Sequence, residues 1–246
     1  MKKTDEKYQA YINILKEELI PAMGCTEPIA LAYAAAVGER ELGVLPDRVV
    51  VEASGSIIKN VKSVVVPNTG HMKGIEVAAA AGIVAGNPDK ELEVIAQVTP
   101  EQVKEIQAFL DTAQIEVKHV DNGLTFDIIV TMYKGDSYSK VRIANYHTNV
   151  VHIEKDGEIR KEIPVEGESE EGLTDRSLLN MADIWDFANT VDVEDIKPVL
   201  QVQEDYNWAI AEEGMKNQYG ANVGKVLLES VGNDVATRAR AMAAAG

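Results

Sequence analysis

Alanine takes the place of bulk in the apolar segments of this chain. Ile75 to Ala85 reads as a helix with four consecutive alanines, Ala78 to Ala81, and Ile29-Ala30-Leu31-Ala32-Tyr33-Ala34-Ala35-Ala36-Val37 continues another. Helices with so little side-chain bulk can approach their neighbours closely, and a close backbone approach leaves few alternative packings. Of 246 residues 46% are hydrophobic but only 5% are aromatic, with 3 Phe, so alanine and valine must do much of the packing.

The period of the apolar residues changes along the chain. Tyr8, Tyr11, Ile12, Leu15, Leu19 and Ile20 recur at helical spacing, and Pro21 stops that helix. Arg48 to Ala53 reads as a strand broken by Ser54-Gly55-Ser56; Ile57 to Asn60 leads into a second β-rich run, Val64 to Val66. Leu92 to Val98 is predicted to be a strand, and Thr99-Pro100-Glu101-Gln102 is a capping box opening a helix to about Leu110. Ile115–Val120, Leu124–Tyr133, Ser137–Ile153 and Glu158–Val165 then read as strands separated by Asp-Asn-Gly, Lys-Gly-Asp and Lys-Asp-Gly turns. Glu166 to Thr174 reads as an exposed acidic linker. Helices follow from Ser177 to Phe187, from Val193 to Tyr219 with a break at Pro198, from Val223 to Val231 and from Val235 to Ala245. The expected class is α+β: helices packed with a β-rich insert, an antiparallel meander over about 114–165, and a helical C-terminal part. The expected domains are 1–90 with 175–246, mostly helical and catalytic in type, and 91–174, an α/β meander subdomain.

A formal net charge of -16 argues against nucleic-acid binding, which needs a basic face, and against an anionic membrane surface. One cysteine excludes an intrachain disulfide framework. No apolar signal core follows Met1-Lys2-Lys3, and no apolar run approaches the roughly 20 residues of a spanning helix. A soluble, reduced, cytoplasmic protein is expected.

That single cysteine lies in Pro21-Ala22-Met23-Gly24-Cys25-Thr26-Glu27-Pro28, where a helix is predicted to begin. Pro28 suits a first turn, and Thr26 or Glu27 can accept hydrogen bonds from its free N–H groups. A thiol at a helix N-terminus meets the positive end of the macrodipole, which favours the thiolate that attacks electrophiles and ligates metals; a small buried hydrophobe is the competing reading. Two polar turns follow, Ser54-Gly55-Ser56-Ile57-Ile58-Lys59-Asn60 and Pro67-Asn68-Thr69-Gly70-His71-Met72-Lys73-Gly74. Turns after β-runs with this composition suit either a polar small-molecule site or plain turn chemistry. Gly220-Ala221-Asn222-Val223-Gly224-Lys225 is one residue short of a phosphate loop and has Val226 in place of Ser or Thr. None of His71, His119, His147 and His152 forms a helical zinc pair, and His147 and His152 read as ordinary strand residues.

Taken in order, Gly24-Cys25-Thr26-Glu27-Pro28, Ser54 to Asn60, Pro67 to Gly70, Asn207-Trp208-Ala209-Ile210-Ala211-Glu212-Glu213-Gly214 and Val223-Gly224-Lys225 resemble the L-cysteine desulfidase family, which is grouped with the alpha chain of the iron-sulfur L-serine dehydratases. The resemblance runs along essentially the whole chain. It implies a lyase with a 4Fe-4S cluster and no pyridoxal phosphate, cleaving L-cysteine to hydrogen sulfide, ammonia and pyruvate by β-elimination. It implies Cys25 as a cluster ligand and, as substrate-positioning groups, Ser54, Asn60, Asn68, Thr69 and Gly70. Lys59 and His71 are the candidate bases, and the sequence does not choose between them.

The family's other cluster cysteines lie in a C-terminal half that is absent from this chain. The resemblance therefore implies the N-terminal half of such an enzyme, with an incomplete ligand set and inactive alone, awaiting the missing half or a separate chain. The apolar last helix is expected to pack on something, so association with another copy is also expected. L-serine or L-threonine dehydration, and a cluster-free amino-acid-binding module, are the alternative functions.

Overall fold

The computed structural model describes residues 1–22, 24–165 and 173–245. The class is α+β, and the chain divides into two units, Met1–Ile20 with Glu170–Gly246, and Pro21–Ser169.

The second unit holds the sheet. Its elements in chain order are α2 (Thr26–Leu42), β1 (Arg48–Ala53), α3 (Gly55–Val61), α4 (Ile75–Ala85), a 3-10 segment Pro88–Glu93, α5 (Pro100–Thr112), β2 (Gln114–His119), β3 (Asp127–Lys134), β4 (Ser137–Ala144), β5 (Val150–Lys155) and β6 (Glu158–Glu162). The strand order is β2-β1-β3-β4-β5-β6. The pair β1–β2 is parallel, with Val51 opposite Val117, and every other pair is antiparallel, with Val51 opposite Val130 and Val130 opposite Val141. Both edges of β1 are thus occupied, and Val49, Val51 and Ala53 are fully buried.

The alanine-rich helices behave as their composition dictates. Ala30, Ala32, Ala34 and Ala35 of α2 and Ala78 to Ala81 of α4 have no exposed surface. A Cβ on Gly82 would lie 2.1 Å from the Ala32 carbonyl oxygen, and one on Gly86 would lie 2.7 Å from the Ala36 Cβ. The two helices therefore meet backbone to backbone. On the sheet side, the buried Ser139 hydroxyl donates to the Gly38 carbonyl at 2.7 Å, and the Met132 side chain fills the space where Gly38 lacks one. These contacts hold α2, and with it Cys25 and Glu27, in a set position against the sheet.

Several sequence expectations change. The expected separation of 1–90 from 91–174 does not describe the molecule, because β1 pairs with β2 and β3 and so ties the early helices to the meander. Gln114–His119 is not part of the meander but a parallel edge strand on β1. Ser137–Ile153 is two strands with a turn at 145–149. Ile57 to Asn60 is helical: Ser54 is the extended cap of α3, and Ile57 and Val61, four apart, are its buried face. Val64 to Val66 retains only a bridge from Val65 to Lys73. Leu92 to Val98 forms no strand. It buries Leu92, Val94 and Ile95 from a 3-10 turn in which Glu91 has φ 45, and a short buried apolar run does not declare its own period. Of the expected linker, residues 166–172 lie outside the described residues.

The first unit contains α1 (Glu6–Glu18), a 3-10 turn Arg176–Leu178, α6 (Met181–Thr190), α7 (Val193–Lys216), α8 (Val223–Val231) and α9 (Val235–Ala245). Helix α7 continues through Pro198. Tyr8 and Tyr11 meet Phe187 edge-on, with ring centroids 5.6 and 5.3 Å apart, and the Tyr8 hydroxyl donates to Asp195 at 2.7 Å. The last helices also meet through small residues, since a Cβ on Gly214 would lie 1.9 Å from the Ala245 carbonyl oxygen. Met181, Trp185, Trp208 and Ile210 are exposed.

In an exposed helix interior Gly→Ala gains up to about 1 kcal/mol from propensity. At Gly82 the sign reverses, because backbone oxygen cannot move aside as a side chain can. Gly82→Ala is expected to destabilise the second unit by roughly 1–3 kcal/mol, the usual range for overpacking. Urea denaturation followed by circular dichroism checks it.

Candidate functional site

The end of the sheet at Ala53, His119, Asp127 and Ala144 opens into a cleft of about 500 Å³ lined by Glu27, Ser56, Ile57, Gly123, Leu124, Thr125, Phe126, Asn145 and His147. Four segments build it. Cys25, in extended conformation, is the cap of α2, so Thr26 and Glu27 form that helix's first turn. Ser54 caps α3, which lines the cleft with Ser56 and Ile57 and places Asn60 beside Glu27. The loop from Val120 to Phe126 closes one wall, and the turn 145–149 closes another.

These segments are pinned to one another. Ser54 is buried; its N–H donates to the Asp127 carbonyl at 3.0 Å and its hydroxyl to the Thr125 carbonyl at 2.7 Å. The buried Asp127 carboxylate takes two bonds from the Arg142 guanidinium, each 2.9 Å, and one from the Asn122 amide. A charge sealed from water is tolerable only when paired in this way. The Asn145 N–H donates to the Phe126 carbonyl at 3.0 Å, with Asn145 at φ 72, a conformation asparagine tolerates better than most residues.

Within this frame the side chains form a chain of contacts. The Cys25 thiol donates to Glu27 Oε2 at 3.1 Å, and the Asn60 amide donates to Glu27 Oε1 at 3.0 Å. Thr26 Oγ1 and His147 Nε2 share a hydrogen bond of 2.9 Å, and the imidazole stands edge-on to the Phe126 ring at 4.6 Å. Burial raises the Glu27 pKa, but the bonds from Cys25 and Asn60 and the field of His147 outweigh it, and the carboxyl is held below its ordinary value. Burial lowers the His147 pKa more than Glu27 raises it, so the imidazole is neutral near pH 7. The expectation of thiolate at Cys25 is overturned. Desolvation and then the Glu27 carboxylate push the thiol up, and an acid two residues away overrides the partial charge of a helix terminus.

Of the sequence-predicted site residues, Cys25 and Asn60 reach the cleft through their hydrogen bonds to Glu27, and Ser54 holds the wall behind it, though none of the three is among the lining residues. Asn68, Thr69 and Gly70 do not line the cleft. The Asn68 amide donates to the Ile95 and Ala96 carbonyls, the buried Thr69 hydroxyl donates to the Val66 carbonyl, and a Cβ on Gly70 would press on Val103. Their polar groups are spent on backbone carbonyls, of the loop itself for Thr69 and of Ile95 and Ala96 for Asn68. The candidate bases Lys59 and His71 are both exposed, and neither lines the cleft. The imidazole that does line the cleft is that of His147. Its signal was Asn145, a residue suited to a turn inside what read as one strand.

The donors present do not fit an iron-sulfur cluster. Cys25 is the only thiol of the chain, its proton is held toward Glu27, and no group of three or more His, Cys, Asp and Glu among the described residues could hold a metal ion. Clusters are held by several thiolates.

Comparison with known proteins gives relatives along the whole chain. It is 56% identical over 249 aligned residues to a UPF0597 protein of Desulfitobacterium hafniense (strain Y51), which covers 100% of this chain and 57% of the relative. It is 47% identical to a UPF0597 protein of Lachnoclostridium phytofermentans, over 97% of this chain and 57% of the relative, and 43% identical to one of Treponema denticola, over 96% and 56%. These close relatives are all UPF0597 proteins. That name states no activity. The chain spans less than two thirds of the relatives' length. No family model matches the chain, and no solved structure matches it. No helix among the described residues is long and apolar enough to cross a membrane.

Two titrations check the electrostatics. His147 is expected to titrate below the ordinary histidine value of about 6.5. Glu27→Gln should lower it further, because the carboxylate was favouring the imidazolium; proton NMR of the ring reads both. With its folded pKa depressed, His147 contributes stability above its unfolded pKa that is lost as pH falls through the folded one. The Cys25 thiol is expected to alkylate slowly at pH 8, and Glu27→Gln should speed the reaction by removing the nearby charge. Iodoacetamide kinetics against pH measure the change.

Proposed function

We propose that this chain carries the substrate cleft of a lyase that eliminates the β-substituent of a small amino acid, with L-cysteine giving hydrogen sulfide, ammonia and pyruvate. The activity belongs to a longer protein of the kind the relatives represent. One observation carries the proposal: the Gly-Cys-Thr-Glu-Pro run and the Ser-Gly-Ser-Ile-Ile-Lys-Asn run, which bear the desulfidase resemblance, meet through the Asn60–Glu27 hydrogen bond on a cleft that also holds a neutral imidazole.

The chemistry asks for a base and a site shielded from bulk water. His147, neutral at working pH, takes the proton from Cα. The bond from Cβ to sulfur breaks and its electron pair leaves with the sulfur, which departs as hydrosulfide and collects a proton. The aminoacrylate tautomerises to an imine, and water hydrolyses it to pyruvate and ammonia. Thr26 holds the imidazole through Nε2, and Phe126 fixes the plane of the ring. L-serine would follow the same steps and expel water.

The test is to fuse this chain to the part of the D. hafniense relative that it does not span, and to assay sulfide and pyruvate from L-cysteine with L-serine in parallel. Sulfide release is expected, and His147→Ala is expected to lower kcat by about 10²–10⁴-fold, the usual contribution of a general base. Pyruvate from serine without sulfide from cysteine would move the assignment to a dehydratase. Binding of amino acid without turnover of either would favour a binding module.

A further inference from the structure

The cleft has a marked charge asymmetry. Among its lining residues Glu27 is the one acid, and there is no lysine or arginine. His147, the only other titratable group on the walls, is neutral. Among the described residues Glu27 makes no ion pair; its two bonds come from a thiol and an amide, both uncharged. A carboxylate offers about four acceptor sites, so capacity remains after Cys25, Asn60 and Glu27's own N–H are served. The bonds from Cys25 and Asn60 also fix the carboxylate, so a ligand would not have to order it. Ser56, Thr125 and Asn145 add neutral polar groups, and Ile57, Leu124 and Phe126 an apolar wall.

We infer that Glu27 is the residue that recognises ligand here, through a primary ammonium group, and that the cleft as formed by this chain provides no countercharge for a carboxylate on the same ligand. The inference rests on the reading of this cleft as the substrate site. An ammonium group donates charge-assisted hydrogen bonds to a fixed carboxylate, stronger than neutral ones. A ligand carboxylate entering the same space would meet Glu27 as a like charge with no positive side chain on the walls to offset it. An amino acid is therefore held here by its amino end alone. Specificity at the other end comes from groups that this chain does not place on the cleft.

The experiment compares three small probes on this chain: ethanolamine, with an ammonium group alone, L-lactate, with a carboxylate alone, and L-serine, with both. Binding is followed by chemical-shift changes at His147 and Phe126 in fixed salt. Ethanolamine is expected to bind at least as well as L-serine, within about threefold, and L-lactate not at all. Glu27→Gln keeps the shape and the Asn60 contact, and it is expected to weaken both amines at least tenfold, in line with the loss of a charge-assisted bond. Thermal melting confirms that the variant is folded, and the three-probe comparison on the unaltered protein stands without it. Binding of L-lactate, binding of L-serine far tighter than ethanolamine, amine affinity unchanged in Glu27→Gln, or no binding of any probe would each overturn the inference. Amine binding to this chain together with no turnover by the fused protein would sink the lyase and leave the recognition standing. Turnover whose KM ignores Glu27→Gln would do the reverse.

Discussion

The contact between Gly82 and the Ala32 carbonyl sets the geometry on which the rest of the second unit is built. Two helices that touch backbone to backbone have no side chains with which to adjust their separation. Helix α2 is fixed on one side by this seam and on the other by Ser139 and Met132 of the sheet. Its N-terminal turn, which carries Cys25, Thr26 and Glu27, is therefore delivered to the end of the sheet at a definite height. A core of bulkier residues could have reached similar stability with more freedom in position.

At the site, one carboxylate organises its neighbours. Glu27 holds Asn60 of α3 and the Cys25 thiol, and its field reaches His147 across the cleft. Burial acts on all three titratable groups, raising the acid and the thiol and lowering the imidazole. The partners decide the rest: donated hydrogen bonds keep the acid ionised, while the same acid keeps the thiol protonated. A cysteine at a helix start thus acts as a donor to its neighbour rather than as a thiolate. Behind these groups, the Asp127–Arg142 pair and Ser54 hold the walls, none of them facing the cleft.

Local signals were legible in the sequence. The bounds of α4 follow from an apolar run between Gly74 and Gly86, and the Thr99 capping box is present with both of its bonds. What depends on distant partners was not. Nothing in Arg48 to Ala53 says that it pairs on both sides, so the division of the chain was drawn in the wrong place. Nothing in Gln114 to His119 says that it runs parallel to a strand far upstream. At the site, Cys25 and Ser54 are legible because each caps a helix start, while Asn60 lies in the last turn of the same short helix that Ser54 opens. Asn68 and Thr69 are of the same polar types, but their bonds go to backbone carbonyls away from the cleft, a difference that residue type does not carry. His147 was hidden because alternation continued across a turn.

The position of β1 also bears on the order of assembly. The strands β3 to β6 follow one another by short turns and can pair as each is made, whereas β1 precedes both of its partners in the chain. During synthesis residues 48–53 therefore wait, apolar and with both edges open, until 114–134 has emerged. Closing those loops carries the entropy cost that makes non-local pairing slow. In that interval the chain is most exposed to edge-to-edge association. The early helices α2 and α4, already able to seal against each other through alanine and glycine, are the elements at hand to shelter the strand while it waits.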